Sequence, residues 1–144
     1  MSETVFQPAS ADELGDIVRQ AMEPSRPLHI QGGATKAGWG HAMPGGDTLD
    51  IRGLTGVELY EPEELVLTAK AGTPLSEIQQ LLENSHQHLA FEPPDYRTLF
   101  GTEAQDQTLG GMMACNMAGP KRIQSGAARD HFLGFEAVSG RGEV

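Results

Sequence analysis

The sequence predicts an α+β domain, in which helices and strands occupy different parts of the fold. Apolar residues recur with helical spacing near the N-terminus and again after residue 73. Between these two helices, four short segments with alternating or continuous apolar residues are typical of strands. The length of 144 residues suits one domain with its own core. The 18 glycines and 9 prolines predict many turns and loops.

Residues 10–22 are predicted to form the first helix. Ser10 and Glu13 have the spacing of a capping box, and one apolar face follows at helical spacing. Pro24 and Pro27 are expected to end this helix.

Four strands are predicted after the first helix, with a loop and a turn between them. The loop after the first strand contains six glycines and no apolar period, and the turn before the last strand is rich in glutamate. The predicted strands cover residues 28–31, 48–51, 57–60 and 65–69, the loop covers 32–47 and the turn covers 61–64.

The second predicted helix begins at Thr73, which is expected to be its cap. Pro74 would occupy the first helical position, and the helix would end near Asn84. The pair Pro93-Pro94 then predicts an extended turn, and residues 95–107 are polar and expected to be irregular.

The run Thr-Leu-Gly-Gly-Met-Met-Ala-Cys-Asn-Met-Ala-Gly at 108–119 is predicted to combine a strand end, a Gly-Gly turn and a short helix. The first amides of that helix would then point outward and form an anion site. Residues 132–139 are predicted to be a strand, and 140–142 a hairpin turn. Because two residues follow this turn, the chain is interpreted as truncated within a domain.

Composition excludes several classes of function. The net charge of −10 argues against wholesale nucleic-acid binding, because phosphate backbones repel an acidic surface. The single cysteine rules out an internal disulfide and fits a reducing compartment. No apolar run reaches the roughly 18–20 residues of a membrane span, and the N-terminus does not resemble a secretion signal. The sequence therefore predicts a cytoplasmic protein.

Two glycine-rich loops, 31–36 and 108–119, are the main functional candidates. Glycine has no Cβ, so a ligand can touch the main chain directly. The least acidic part of the chain, 109–144, begins at the second loop and carries three acids against four bases. Two such loops predict two backbone cradles for one extended, phosphate-bearing ligand. Each loop alone is also compatible with a turn or with close packing, and neither a Rossmann nor a Walker pattern is present.

Other candidate residues have plain structural interpretations. Cys115, flanked by Ala and Met, is expected to be a small buried hydrophobe rather than a nucleophile. His86 and His88 are expected to complement a helix C-terminus rather than bind a metal, because no carboxylate or cysteine cluster supports them. Lys36 would pair with phosphate or lie in solvent. Trp39 would shield a ligand or anchor its loop.

The order of these motifs resembles the FAD-binding domain of the vanillyl-alcohol oxidase and p-cresol methylhydroxylase (PCMH) flavoprotein superfamily. Within it, the chain is most similar to the FAD-binding subunit of bacterial glycolate oxidase. The resemblance covers roughly residues 28–144 and is carried by several motifs in the family's order. These are Gln31-Gly32-Gly33 with Lys36, Ala71-Gly72-Thr73-Pro74-Leu75, Glu92-Pro93-Pro94-Asp95-Tyr96, the 108–119 run continuing into Pro120-Lys121-Arg122, and Ser125-Gly126-Ala127-Ala128-Arg129-Asp130.

The resemblance implies a set of cofactor contacts. A first pyrophosphate loop would consist of Gln31, Gly32, Gly33, Ala34, Thr35 and Lys36. Pro93 and Pro94 would lie along the flavin or its ribityl chain. Thr108, Gly110 and Gly111 would meet the pyrophosphate or ribityl portion, with Ala114, Asn116 and Gly119 close by. Gly126, Arg129 and Asp130 would contact the adenosine half or brace the loop that does, and a local Arg129–Asp130 ion pair is equally compatible.

The implied fold is a PCMH-type FAD-binding domain, with a small mixed subdomain ahead of a larger, truncated antiparallel sheet subdomain. Residues 1–144 would form a single, incomplete domain, divided into an N-terminal helix (1–27), a first subdomain (28–70) and part of a second subdomain (71–144). Some members attach FAD covalently through a histidine in the first loop. Positions 31–36 hold none, so non-covalent FAD is expected.

The implied function is flavin-dependent oxidation of glycolate or D-lactate to the 2-oxo acid, within a complex that contains a second flavoprotein subunit and an iron–sulfur subunit. Such a complex would be cytoplasmic or peripheral at the inner membrane. No residue of the chain is assigned as the catalytic base, and no metal is expected. Two alternatives remain open, a non-catalytic fragment or partner module, and a superfamily oxidoreductase acting on another 2-hydroxy acid or alcohol.

Overall fold

The structure is a computed structural model that describes residues 3–23, 26–41, 45–100 and 105–144. The described residues contain five strands and five α-helices, and the predicted α+β class is confirmed. The strands form one three-stranded sheet and one two-stranded sheet.

The three-stranded sheet is parallel and lies in the N-terminal half of the chain. It contains β1 (Val5–Phe6), β2 (Leu28–Gln31) and β3 (Asp47–Asp50), in the order β1-β3-β2. All four residues of the central strand β3 are buried, because it has a neighbour on each side. The predicted strand at 48–51 is thus shifted by one residue. Ile51 begins a 3-10 turn, in which the Asp50 carboxylate accepts the Arg52 N–H at 3.0 Å.

The two-stranded sheet is antiparallel and contains the strands predicted at 57–60 and 65–69. It consists of β4 (Val57–Glu61) and β5 (Val66–Ala69), joined through the predicted turn. Leu65 closes that turn with a φ of 58°, and its N–H donates to the Pro62 carbonyl at 3.3 Å.

Helix α1 (Ala11–Met22) begins with the predicted cap. The Ser10 hydroxyl accepts the Glu13 N–H at 3.2 Å, and the Glu13 carboxylate accepts the Ala9 N–H at 2.7 Å. The reciprocal pair fixes the start of the helix. The helix ends before Pro27 as expected, whereas Pro24 lies outside the described residues.

Helix α2 (Leu75–Asn84) is present, but its predicted cap is wrong. The cap position is Pro74, which offers no side-chain hydrogen bond. The Thr73 hydroxyl is buried and bonds to Gly56 and to the Lys70 carbonyl instead. The helix receives its cap from a distant residue, because the Asp106 carboxylate accepts the Ser76 N–H at 3.0 Å.

The C-terminal half contains three short α-helices. Helix α3 (Arg97–Phe100) lies in a segment predicted to be irregular. In α4 (Leu109–Ala114) the two glycines are the second and third helical residues, so the predicted Gly-Gly turn ahead of the helix is wrong. Helix α5 (Arg122–Ser125) is followed by a 3-10 turn, Ala128–His131.

The main apolar cluster joins α2, α4 and the segments around them. Its buried members are Leu75, Phe91, Met112, Met117 and Ala128. The methionines at 112 and 117 are thus core residues. Because this cluster supports the second glycine-rich run, it fixes that run relative to helix α2.

The predicted strand at 132–139 is wrong, since this segment pairs with no strand among the described residues. The turn after it is present: the Gly142 N–H donates to the Ser139 carbonyl at 2.9 Å, and the Ser139 N–H to the Glu143 carbonyl at 2.7 Å. Arg19 of α1 donates to the Gly142 carbonyl and ties this turn to the first helix.

Candidate functional site

The two glycine-rich loops lie against each other, as the sequence predicts for two cradles of one site. A Cβ on Gly32 would overlap the Thr108 side chain, and a Cβ on Gly33 would overlap the Asp106 carbonyl. Both glycines are therefore required by the close approach of the two loops.

The first loop offers a row of backbone amides. Among the described residues, none accepts a hydrogen bond from the N–H groups of residues 33–36. Ala34 has a φ of 56°, a left-handed conformation that is uncommon outside glycine. A left-handed residue within successive unpaired amides is typical of backbone concavities that bind anions. This loop is the part of the predicted site that best fits a phosphate.

Lys36 adds a side-chain cation to that loop. Its ammonium is half-buried and donates to the Thr35 hydroxyl at 3.2 Å. Burial lowers the pKa of Lys36 below its ordinary value, while Cys115 and Asp95 act in the opposite direction. These two neighbours place the ammonium where the first loop, the 93–96 segment and the end of α4 meet.

The second loop does not offer the outward amides that the sequence predicts. The Leu109 N–H donates to the Thr73 carbonyl at 2.9 Å, and the Gly110 N–H to the Ala71 carbonyl at 2.7 Å. The Gly111 N–H donates to the Thr108 hydroxyl at 3.3 Å. Because the amides at the start of α4 already have protein acceptors, the prediction of an anion site at this helix N-terminus is wrong.

Asn116 has a structural role at the end of α4. Its φ is 48°, its N–H donates to the Met113 carbonyl, and the Met117 N–H donates to the Met112 carbonyl. This is the Schellman arrangement, in which a left-handed residue ends the helix. The Asn116 side-chain oxygen also accepts the Arg129 N–H at 3.0 Å, and so holds the 3-10 turn against the helix.

The Pro93-Pro94 segment is held beside Gly119. The Gly119 N–H donates to the Phe91 carbonyl at 2.8 Å, and a Cβ on Gly119 would overlap the Glu92 carbonyl. Lys121 pairs with the Glu92 carboxylate at 2.9 Å and lowers the pKa of Glu92. The prolines therefore lie in a fixed segment next to the second loop.

Gly126 and Asp130 contact each other rather than an open surface. Gly126 has a φ of 77°, and the Asp130 carboxylate accepts the Ala127 N–H at 2.8 Å. Arg129 is exposed, with its guanidinium 3.7 Å from Asp130. This geometry favours the bracing role over direct ligand contact for Gly126 and Asp130.

Several neighbours of the site have no predicted role in the sequence. Asp95 binds the Arg97 guanidinium through both carboxylate oxygens at 2.6–3.0 Å, and Arg97 holds the pKa of Asp95 below its usual range. Arg97 also lies 3.6 Å from Asp106, which connects the 95–97 segment to the second loop. The ring of Tyr96 packs against Trp39 with centroids 5.1 Å apart. Sequence offers no local signal that Asp106 bonds to the Ser76 N–H, because the two residues are thirty positions apart.

Cys115 and His86 both lie at or just beyond helix C-termini. Cys115 is exposed, so its prediction as a buried residue is wrong. His86 ends α2 in the left-handed conformation, with a φ of 57°. Within the described part of the chain, no cluster of three or more potential metal ligands occurs.

A cavity of about 270 Å³ lies at the start of the second loop, and Asp106 and Thr108 form part of its wall together with Arg52, Gly72 and Pro74. Enclosed sites for drug-sized ligands span roughly 300–1,000 Å³. This cavity is thus smaller than an enclosed site for a drug-sized ligand. The groups that best fit a phosphate, the 33–36 amides and Lys36, lie outside its lining.

The comparison with known families agrees with this phosphate-binding geometry. Residues 2–144 match the family described as FAD binding domain. The chain belongs to this family. The cofactor is accordingly FAD, and the resemblance to a flavoprotein superfamily is confirmed.

Two known proteins are similar to this chain in sequence. The chain is 46% identical over 126 residues to glycolate oxidase subunit GlcE of Escherichia coli (strain K12), covering 88% of this chain and 34% of the relative. It is 30% identical over 142 residues to a D-lactate dehydrogenase of Archaeoglobus fulgidus, covering 97% of this chain and 30% of the relative. The chain thus spans about a third of the length of these relatives.

Solved structures share the fold. Wild-type Phl p 4.0202, a glucose dehydrogenase, superposes with a TM-score of 0.73 at 13% identity, over 96% of this chain and 27% of the other. A berberine bridge enzyme variant superposes with a TM-score of 0.71 at 20% identity, over 99% of this chain and 27% of the other. In the described part of this FAD-binding domain, no helix has the length and apolarity needed to traverse a bilayer.

Proposed function

We propose that this FAD-binding domain serves a flavoenzyme that oxidises glycolate to the 2-oxo acid. The 46% identity to a glycolate oxidase subunit supports glycolate, and the 30% identity to a D-lactate dehydrogenase supports D-lactate as a second substrate. A second flavoprotein subunit and an iron–sulfur subunit are the partners that we propose. A cytoplasmic enzyme, or one peripheral at the inner membrane within such a complex, is part of the same proposal.

Bound FAD would supply the hydride acceptor for oxidation at the α-carbon of the 2-hydroxy acid. The residues of this chain hold and orient the cofactor. We propose that the amides of residues 33–36 bind the pyrophosphate and that Lys36 neutralises part of its charge. The pairing of the two loops through Gly32, Gly33 and Thr108 fixes the direction in which those amides point. Non-covalent attachment is proposed because residues 31–36 contain no histidine.

The single observation that carries this proposal is the first loop, with its unpaired amides, the left-handed Ala34 and the half-buried Lys36. Each charge-assisted hydrogen bond to a phosphate contributes about 1.5–3 kcal/mol. Removing the Lys36 ammonium should therefore weaken binding by roughly 10- to 100-fold.

The test is a titration of the purified protein with FAD, followed by flavin fluorescence anisotropy. We expect saturable binding by the natural chain and a Kd that rises roughly 10- to 100-fold in Lys36→Met. Lys70→Met is the matched control, because it removes the same charge from an exposed lysine next to β5 and should leave Kd within about twofold. Affinity should also fall as pH rises through the lowered pKa of Lys36, since only the ammonium attracts phosphate. Lys36→Met should lack this slope.

A chain that neither retains nor binds FAD would contradict the proposal for this protein. Equal losses of affinity in both lysine variants would assign the effect to net charge rather than to the loop. Substrate choice is tested separately in the assembled enzyme, by reduction of an artificial electron acceptor with glycolate, D-lactate and a longer 2-hydroxy acid. Failure of both glycolate and D-lactate to reduce the acceptor would contradict the proposed substrates.

A further inference from the structure

Trp39 is an exposed aromatic residue next to the phosphate-binding loop. It is 53% exposed, although its ring packs on Tyr96 at 5.1 Å with an interplanar angle of 45°. Tyr96 continues the contact to Phe100, with centroids 6.2 Å apart. This arrangement holds the indole against Tyr96 and leaves about half of the side chain exposed to solvent.

The backbone fixes Trp39 relative to Lys36. The Trp39 N–H donates to the Lys36 carbonyl at 2.9 Å, and the Ala37 N–H to the Ala34 carbonyl at 3.1 Å. Gly38 lies against Phe100, since a Cβ there would be 3.6 Å from the ring. The backbone of Trp39 is therefore held within one turn of Lys36.

We propose that the open face of Trp39 is a stacking platform for a planar ring of the dinucleotide whose pyrophosphate the 33–36 loop binds. This inference rests on the proposed function. Phosphate groups attach such a ligand to the loop, and a ring on a short tether then reaches the adjacent indole. Indole rings stack on nucleotide bases without requiring specific hydrogen bonds. FAD carries two such rings, isoalloxazine and adenine, and the stacking chemistry is the same for both.

A purely anchoring role is the competing interpretation. Trp39 would then stabilise its loop through Tyr96 and make no ligand contact. The two roles differ in what Trp39→Ala changes at a temperature where the protein is folded. An anchor affects the melting temperature, whereas a platform affects the Kd of a ligand that contains the ring.

The experiment measures Kd for FAD in the natural chain and in three variants, together with their melting temperatures. We expect Trp39→Ala to weaken FAD about tenfold and Trp39→Phe to weaken it less than about threefold, because phenylalanine keeps a stacking face. Phe135→Ala is the matched control, because Phe135 is also exposed, at 77%, and stacks on Phe132 in the C-terminal segment. Its Kd should equal that of the natural chain.

Two smaller ligands show which ring of FAD stacks on Trp39. FMN carries isoalloxazine without adenine, and ADP carries adenine without flavin. The ring in contact is the one whose parent ligand loses affinity in Trp39→Ala. Trp39 is the sole tryptophan, so a change of its emission on ADP binding reports adenine contact without energy transfer to a flavin.

The outcomes separate the two proposals. If FAD binds the natural chain and Trp39→Ala binds it equally well, the platform is overturned and the proposed function stands. If Trp39→Ala lowers the melting temperature without changing Kd, Trp39 is an anchor and the inference is again overturned. If the natural chain does not bind FAD at all, the proposed function fails and the inference falls with it.

Discussion

Two residues other than glycine end helices in the left-handed conformation, and they differ in how well they suit it. Asn116 follows α4 and His86 follows α2, with φ values of 48° and 57°. Asparagine tolerates this region because its short polar side chain bonds locally, whereas most L-residues lose roughly 1–2 kcal/mol there. The hydrogen bond from the Arg129 N–H to the Asn116 side-chain oxygen stabilises this conformation further.

His86→Gly should therefore raise the free energy of unfolding by about 0.5–1 kcal/mol, because glycine removes the left-handed strain. Asn116→Ala should lower it by about 1–2 kcal/mol, since alanine adds strain and leaves the Arg129 N–H without its acceptor. Urea denaturation with a constant m-value measures both. Shifts of the same sign in the two variants would contradict this account of the helix ends.

Sequence reasoning at the residue scale succeeds where the signal is local. The Ser10 cap follows from residues three apart, and the Met112 core position follows from its apolar neighbours. It fails where a partner is distant in the chain. Thr73 has the chemistry of a cap but bonds to Gly56, and Asp106 caps α2 from thirty residues away. The sequence alone contains no pattern that pairs such positions.

The two adjacent glycines of helix α4 differ in what a Cβ at each position would contact. At Gly110 a Cβ would be 2.8 Å from the Ala71 Cβ and 3.0 Å from the Ala71 carbonyl oxygen, in a contact with fixed backbone. At Gly111 a Cβ would be 3.2 Å from the Thr108 hydroxyl and meets nothing else within 4 Å. A Cβ at Gly110 would press on fixed backbone, whereas a Cβ at Gly111 would make one tight contact with a side-chain hydroxyl.

Gly110→Ala should therefore destabilise the protein by about 1–3 kcal/mol, the usual cost of overpacking. Gly111→Ala should change stability by less than about 1 kcal/mol, because the gain in helix propensity offsets the tight hydroxyl contact. Thermal and urea unfolding of the two variants test this difference. If Gly111→Ala proved as damaging as Gly110→Ala, the contact with Ala71 would not be the reason for glycine at 110.

The elements that sequence predicts well are those with their own periodic signal. Helix α1, strand β2 and the β4–β5 pair are close to their predicted bounds. Strand β1 has two residues and α3 has four, too few for a period to show. Residues 132–139 have the polarity of a strand, but a strand also requires a neighbour, and none pairs with it among the described residues. A local pattern predicts that a segment tends to form a strand, but it does not predict which strand will pair with it.

At the scale of the whole molecule, the sequence predicts that the two glycine-rich loops meet, but it does not predict which of their backbone amides remain free. Motif order in the sequence already places 31–36 and 108–119 in one site, and their contact through Gly32 and Thr108 agrees with this. The choice of which amides remain free depends on tertiary contacts. The carbonyls of Ala71 and Thr73 accept the first amides of α4, and we therefore propose the phosphate-binding role for the first loop.

The net charge of −10 opposes the approach of an anionic cofactor. The field of the whole molecule extends about 30 Å at 10 mM salt and about 8 Å at 150 mM. The association rate constant of FAD should therefore rise as salt is increased from 10 to 150 mM. Added salt screens the long-range repulsion before it screens the short-range attraction of Lys36. Stopped-flow flavin fluorescence measures this rate.

The two lysine variants separate the long-range from the local contribution to that rate. Lys36→Met and Lys70→Met both raise the net negative charge by one, so both should slow association at 10 mM salt by a similar factor. At 150 mM the long-range difference is screened, and only Lys36→Met should still bind FAD weakly, through faster dissociation. A rate for the natural chain that falls with added salt would mean that the field at the loop is positive despite the acidic surface. It would then assign the encounter, as well as the bound state, to Lys36 and the amides around it.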